Sequence, residues 1–167
     1  MGSRIKGVGN QFGYVVDYSQ DLILFHRLDL ETFSLNGYTV LRDVDIGGGR
    51  FFANAGYWQH RAARHFKLKP ILPVGIVLES IPTLLESISL KYPLMVLHPE
   101  RTKPNVCYIG SLLSVSKATC TIDDLSSNAI WSGPRRLRFN DITRIDFGGG
   151  YEGALAIAAP KRPKRKK

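Results

Sequence analysis

Residues 146–159, "DFGGGYEGALAIAA", are the first place where this sequence could do chemistry. From Gly148 to Gly153 they satisfy G-x-G-x-x-G, they follow a strand-like run at 142–147, and they lead into an Ala/Leu-rich segment. In a dinucleotide site such glycines let the backbone approach a pyrophosphate seated on the N-terminus of a full helix. That site needs a parallel βαβ unit of about 30 residues and an acidic residue about 20 positions further on. Only 14 residues follow Gly153, and the last eight are "PKRPKRKK". Three glycines also stand together at 47–49, so a turn leaving a strand is expected at both places, with positive φ at one or more positions. No cofactor is expected. "DFG" at 146–148 lacks the kinase lysine, catalytic loop and Gly-rich strand pair that would give it meaning.

The remaining reactive side chains are scattered. His60 and His65 lie five apart on a helix-like stretch, about 140° apart around the axis, so they do not share a metal-binding face. His26 and His98 fall in or beside strands with no Cys, Asp or Glu cluster at ligand spacing, which favours structural roles and no metal. Asp123 and Asp124 are adjacent at a strand end, and adjacency does not place two carboxylates across a cleft. No G-x-S-x-G elbow, P-loop or reactive-cysteine signature occurs, so no catalytic residue is named.

Basic residues are better organised. "GPRRLRF" (133–139) sets Arg135, Arg136 and Arg138 beside Trp131 and Phe139, with Arg144 on the next strand. Basic strands with stacking aromatics are how small barrels hold nucleic acid. In an alternating strand Arg136 and Arg138 share one face and Leu137 and Phe139 the other, so a solvated face over a core face is the competing reading. The tail adds Lys161, Arg162, Lys164, Arg165, Lys166 and Lys167, a run suited to phosphate contact with counterion release, although anionic lipid, an acidic protein or solubility alone would also suit it. The formal charge of +9 comes mostly from there: without those six, 17 basic residues face 14 acidic ones. The body is only mildly basic.

Composition places the chain among globular proteins. It has 167 residues, 44% hydrophobic and 22% charged. Its two cysteines, Cys107 and Cys120, stand outside any C-x-x-C spacing and read as small strand residues of a reducing compartment. No run approaches the ~20 apolar residues of a membrane helix, and the N-terminus lacks an apolar signal region, so no membrane span and a cytoplasmic location are expected.

The elements that must position these residues repeat. "FGYVVDYSQDLILFHRL" (12–28) aligns without a gap on "IGSLLSVSKATCTIDDL" (109–125), pairing Gly13 with Gly110, Ser19 with Ser116 and Leu28 with Leu125. Each reads as strand, tight turn, strand. After a one-residue change of spacing, Leu41-Arg42 matches Leu137-Arg138 and Asp45-Ile46 matches Asp141-Ile142, a third strand in each copy. Beyond it "VDIGGG" (44–49) also matches "IDFGGG" (145–150) under another offset, and both registers stay open.

Between the copies, residues 51–66 place Phe51, Ala55, Trp58, Ala62 and Phe66 at helical spacings. "PVGIVLE" (73–79) reads as a short strand belonging to either copy. Ser80 with Pro82 just inside opens a helix through about Lys91, with Leu84, Leu85, Ile88 and Leu90 as its apolar face. Strands are then expected near 94–98, 106–116, 118–124, 135–139 and 143–147, followed by a short helix.

A helix followed by five bent antiparallel strands, with Gly110 where a long strand bends, resembles an Sm-like or SH3-like small barrel. The pattern of "CYIGSLLSV", "RFNDITRIDFGGGYEGAL" and the weaker "GYVVDYSQDLILFHRL" resembles uncharacterised bacterial proteins built from two such units, across roughly residues 12–158. The resemblance implies a fold and no activity. The glycine-containing signature of true Sm proteins does not occur, so their ring assembly and uridine-rich RNA binding are not implied.

The expected architecture is mainly β (α+β): two related small antiparallel Sm-like/SH3-like barrels joined by one or two helices. Residues 1–70 hold the first copy and an amphipathic helix, 71–159 a helix and a second, five-stranded barrel, and 160–167 a disordered basic tail. A non-catalytic binding module is expected, with RNA or DNA the first partner. The alternative is a protein interaction or scaffold unit, and an enzyme with an unrecognised site ranks last.

Overall fold

Runs rich in leucine, valine, isoleucine and aromatic residues recur along the first copy, and each becomes a strand. The structure, a computed structural model, describes residues 4–5, 9, 11–47 and 58–161. Strands β1 (Gly13–Tyr18), β2 (Leu22–Asp29) and β3 (Ser34–Arg42) come first, then helices α1 (Trp58–His65) and α2 (Ile81–Ser89). Strands β4 (Met95–His98), β5 (Tyr108–Val115), β6 (Thr119–Leu125), β7 (Trp131–Arg138) and β8 (Arg144–Phe147) precede helix α3 (Gly150–Ala158). The strands form one eight-stranded antiparallel sheet in the order β1-β2-β3-β8-β4-β5-β6-β7. The protein is mainly β with three helices among the described residues.

The internal repeat reaches the backbone. Ser19 N–H donates to the Leu22 carbonyl and Ser116 N–H to that of Thr119, both at 2.8 Å, closing equivalent hairpins. Register shifts between Val15 and Asp17 in one copy and between Leu112 and Ser114 in the other, so even the bulge is repeated. A Cβ on Gly13 would collide with the His26 carbonyl and one on Gly110 with the Asp123 carbonyl, which fixes glycine at both positions. Each third strand runs into a 3-10 turn, Asp43–Asp45 or Phe139–Asp141, closed at 3.1 Å by Ile46 N–H to Asp43 and Ile142 N–H to Phe139. Of the two registers open in the sequence, the backbone follows the one that pairs Asp45-Ile46 with Asp141-Ile142.

The shared core uses opposite faces of the two copies. Leu22, Leu24 and Val40 bury one face of the first copy against Met95, Leu97, Ile145 and Phe147. In the second copy the aligned residues are Thr119, Thr121 and Arg136, which turn away, while Cys120, Ile122 and Leu137 on the other face enter the same core. Helix α2 closes this core with Leu84, Leu85 and Ile88, each fully buried. Its start is fixed by Ser80, whose hydroxyl accepts from Thr83 N–H while the Thr83 hydroxyl accepts from Ser80 N–H. Helix α3 packs Leu155 over Leu94, Val96, Ile109 and Leu125 on the opposite side of the sheet.

Several expectations change. "PVGIVLE" is not a strand: Pro73 and Gly75, at φ +81°, break it into a turn, and one residue before it and one within it are tied to side chains. The Ile71 N–H donates to His26 Nδ1 (3.1 Å) and the Val77 N–H to Ser87 Oγ (3.1 Å). Helix α2 stops at Ser89, so Leu90, placed on its apolar face by periodicity, is 81% exposed instead. Of the helix expected from Phe51 to Phe66, residues 58–65 are helical and 51–57 lie outside the described residues. No helix among the described residues is long and apolar enough to cross a membrane.

Candidate functional site

The glycine loop resolves first. Gly148 has φ +69°, as a turn leaving a strand requires, and Gly149 precedes the first residue of α3. Asn36 Oδ1 accepts from the Gly150 N–H at 2.8 Å, so a side chain from β3 already engages that helix end. Gly37, at φ +70°, allows the close approach, because a Cβ there would sit 2.6 Å from Gly149 N. Strand β8 is antiparallel to both neighbours. The geometry is that of a docked strand-to-helix corner.

The arginines named from the sequence divide into three environments. Arg136 and Arg138 are exposed on β7, in register with Thr121 and Thr119 of β6, and among the described residues neither makes an ion pair. Leu137 is buried on the other face, as alternation requires, and Phe139 is buried where the chain enters the 3-10 turn. Arg135 is half-buried: its Nε donates to Asp124 Oδ2 (2.7 Å) and its guanidinium lies over the Tyr108 ring, 4.2 Å from the centroid. Trp131, half-buried at the start of β7, donates from Nε1 to the Pro160 carbonyl (2.9 Å). That bond roots the basic tail beside the arginine strand. Lys161 is exposed there, and Arg162, Lys164, Arg165, Lys166 and Lys167 lie outside the described residues.

Arg144 belongs elsewhere. It stands on β8 in the middle of the sheet, its side chain 15% exposed, and it is bound to carboxylates: Nη1 to Glu100 Oε1 (3.2 Å) and Nε to Asp146 Oδ2 (3.5 Å). Its Nη2 lies 2.9 Å from His98 Nδ1. A guanidinium committed in this way does not extend the β7 surface, and β7 and β8 are not neighbours.

Around Arg144 is a polar cluster that sequence spacing did not reveal. Asp146 accepts from the Thr39 hydroxyl (2.6 Å), is bonded to His98 Nε2 (3.0 Å), and has Arg27 at 3.6 Å. Thr143 donates to Glu100 (2.9 Å). Burial alone would raise the Asp146 pKa, but the His98 hydrogen bond, the His98 and Arg144 charges and the Thr39 hydroxyl together hold it below the usual carboxylate range. Cys107, exposed just before β5, carries a thiol whose pKa partial burial raises, with Arg144 pulling it down and Asp146, Asp124 and Glu152 pushing it up. The signal that could have found the cluster is a pair of complementary alternations, His98-x-Glu100 and Arg144-x-Asp146, which meet only once β4 and β8 are known to pair.

His26 accepts from Ile71 N–H and burial lowers its pKa, which fits a neutral structural imidazole. His65 is exposed on α1, and the His60 side chain lies outside the described residues. Asp123 and Asp124 point to opposite faces of β6: Asp124 binds Arg135, and Asp123 pairs across the strands with Ser111 and Pro134. Among the described residues no group of three or more His, Cys, Asp and Glu side chains is placed to hold a metal. No family model, no curated protein and no solved structure matches this chain.

Proposed function

We propose that the chain is a binding module made of two related Sm-like or SH3-like small-barrel units, and that it holds single-stranded nucleic acid through Arg136, Arg138 and the basic tail. The repeated hairpin, bulge, glycine and 3-10 turn support the two-unit reading. Arg135 and Arg144 have structural partners and leave the proposed surface.

The observation that carries the nucleic-acid reading is the Trp131 to Pro160 hydrogen bond, which brings the root of the tail to the start of β7. Seven residues from Lys161 reach at most roughly 25 Å, and β7 runs roughly 25 Å, so tail and strand match in length. One phosphate backbone laid along β7 would meet cations from both. The hydroxyls of Thr119 and Thr121 beside the arginines add uncharged donors for phosphate oxygens.

The test is binding of labelled single-stranded RNA, single-stranded DNA and duplex DNA across a salt series. Three proteins are compared: the full chain, a chain ending at Lys161, and the double variant Arg136→Ala/Arg138→Ala. The full chain should bind with a steep salt slope, and each lost phosphate contact should lower that slope by roughly one unit. Absence of binding, or binding indifferent to both changes, would end the reading.

A further inference from the structure

Aliphatic side chains that stand clear of a surface need a reason, and the segment between α1 and α2 presents four. Val74 is 85% exposed, Ile71 62%, Leu72 51% and Val77 39%. Exposed Lys67 and Lys69 precede them in sequence, and the Lys91 stem reaches the same place, its Cε 3.3 Å from where a Gly75 Cβ would be. From residue 46 through 78 the chain contains no Asp or Glu.

The protrusion is anchored at both ends. His26 on β2 holds the Ile71 N–H, and Ser87 on α2 holds the Val77 N–H. Pro70 and Pro73 fix two further φ angles, so seating the loop on a partner would freeze few additional torsions.

We propose that this loop, residues 71–77 with Lys67, Lys69 and Lys91 around it, docks on an anionic lipid surface. Aliphatic side chains of this size suit the boundary between headgroups and acyl chains, and lysines let their methylene stems follow while the ammonium groups meet lipid phosphates. The charge is complementary to an anionic leaflet. Protruding side chains would require a partner protein to supply a fitted pocket, whereas a bilayer deforms around them. Nucleic acid would gain nothing from an aliphatic tip, which has no ring on which a base can stack. The inference is independent of the β7 reading.

The test uses a chain ending at Lys161, which removes the cationic tail, in co-sedimentation with vesicles of phosphatidylcholine containing about a third phosphatidylserine. Binding should weaken with salt and be roughly tenfold or more weaker on pure phosphatidylcholine. Leu72→Asp/Val74→Asp, at exposed positions, should retain the parent thermal unfolding and lose roughly tenfold or more of the binding, while Lys67→Glu/Lys69→Glu/Lys91→Glu should abolish the preference for anionic vesicles. No vesicle binding, or binding that both variants leave unchanged, overturns the proposal. So does capture of an acidic amphipathic helical peptide without any vesicle binding, which would assign the loop to a protein partner.

Discussion

The same strand face is built twice in this molecule and put to opposite use. In the first copy it carries Leu22 and Leu24 on β2 and Val40 on β3, each at most 2% exposed. In the second copy the register-matched residues are the half-buried Thr119 and Thr121 on β6 and the exposed Arg136 on β7. The first copy buries the face because its β3 pairs with β8 and lays that side on the core roofed by α2. In the second copy β7 pairs, among the described residues, only with β6, and Cys120, Ile122 and Leu137 fill the core from the other side. Two copies of one backbone therefore share a core by presenting opposite faces to it. In the second copy the side left over carries Thr119, Thr121 and Arg136.

The largest expected effect tests what holds the copies in that relation. Asp146 on β8 joins Thr39 and Arg27 of the first copy to His98 and Arg144 of the second. Asp146→Ala leaves Arg144 with Glu100 as its remaining carboxylate, takes the buried partner from His98 and Thr39, and should lower stability in urea unfolding by about 3–5 kcal/mol. The acid limb of stability gives a second readout. The folded Asp146 pKa is depressed, so its stabilisation is present above the ordinary carboxylate value and is lost as pH falls through the folded one. The variant should show a flatter acid limb than the parent chain, and a parallel limb would remove Asp146 from this role.

A middle-sized effect tests whether the copies are equivalent. Gly13→Ala and Gly110→Ala each drive a methyl group into a carbonyl of the facing strand. Each should cost about 1–3 kcal/mol by thermal or urea unfolding. If one is costly and the other neutral, the two hairpins are not under the same constraint, and the repeat is one of sequence more than of packing.

The parts of this design that were legible in the sequence are those carried by local chemistry. The gapless match of 12–28 with 109–125 placed both hairpins, Ser80 and Pro82 placed the start of α2, and the three glycines at 148–150 placed a turn with positive φ. Long-range features were not legible. His98 and Asp146 are 48 residues apart and looked solitary until the β4 to β8 register brought them together. "PVGIVLE" has the composition of a strand, but Ile71 just before it bonds to His26 and Val77 within it to Ser87, and single-sequence periodicity carries no information about such partners. Arg144 and Arg136 look alike in sequence, and only their places in the sheet separate a buried ion-pair member from a surface cation.

The smallest expected effect returns to that surface. If the β6 and β7 face is open, Arg136→Val should leave folding stability within about 0.5 kcal/mol, because Arg136 has no ion pair among the described residues to lose. Its matched residue, Val40, lies in the core, so the reverse change there would bury an unpaired charge. A near-zero result at Arg136, obtained with the same urea titration, confirms that the second copy keeps this face for something other than its own packing. A loss well above 1 kcal/mol would mean that the guanidinium is structural, and Arg136 would then join Arg135 and Arg144 as an arginine that serves the fold.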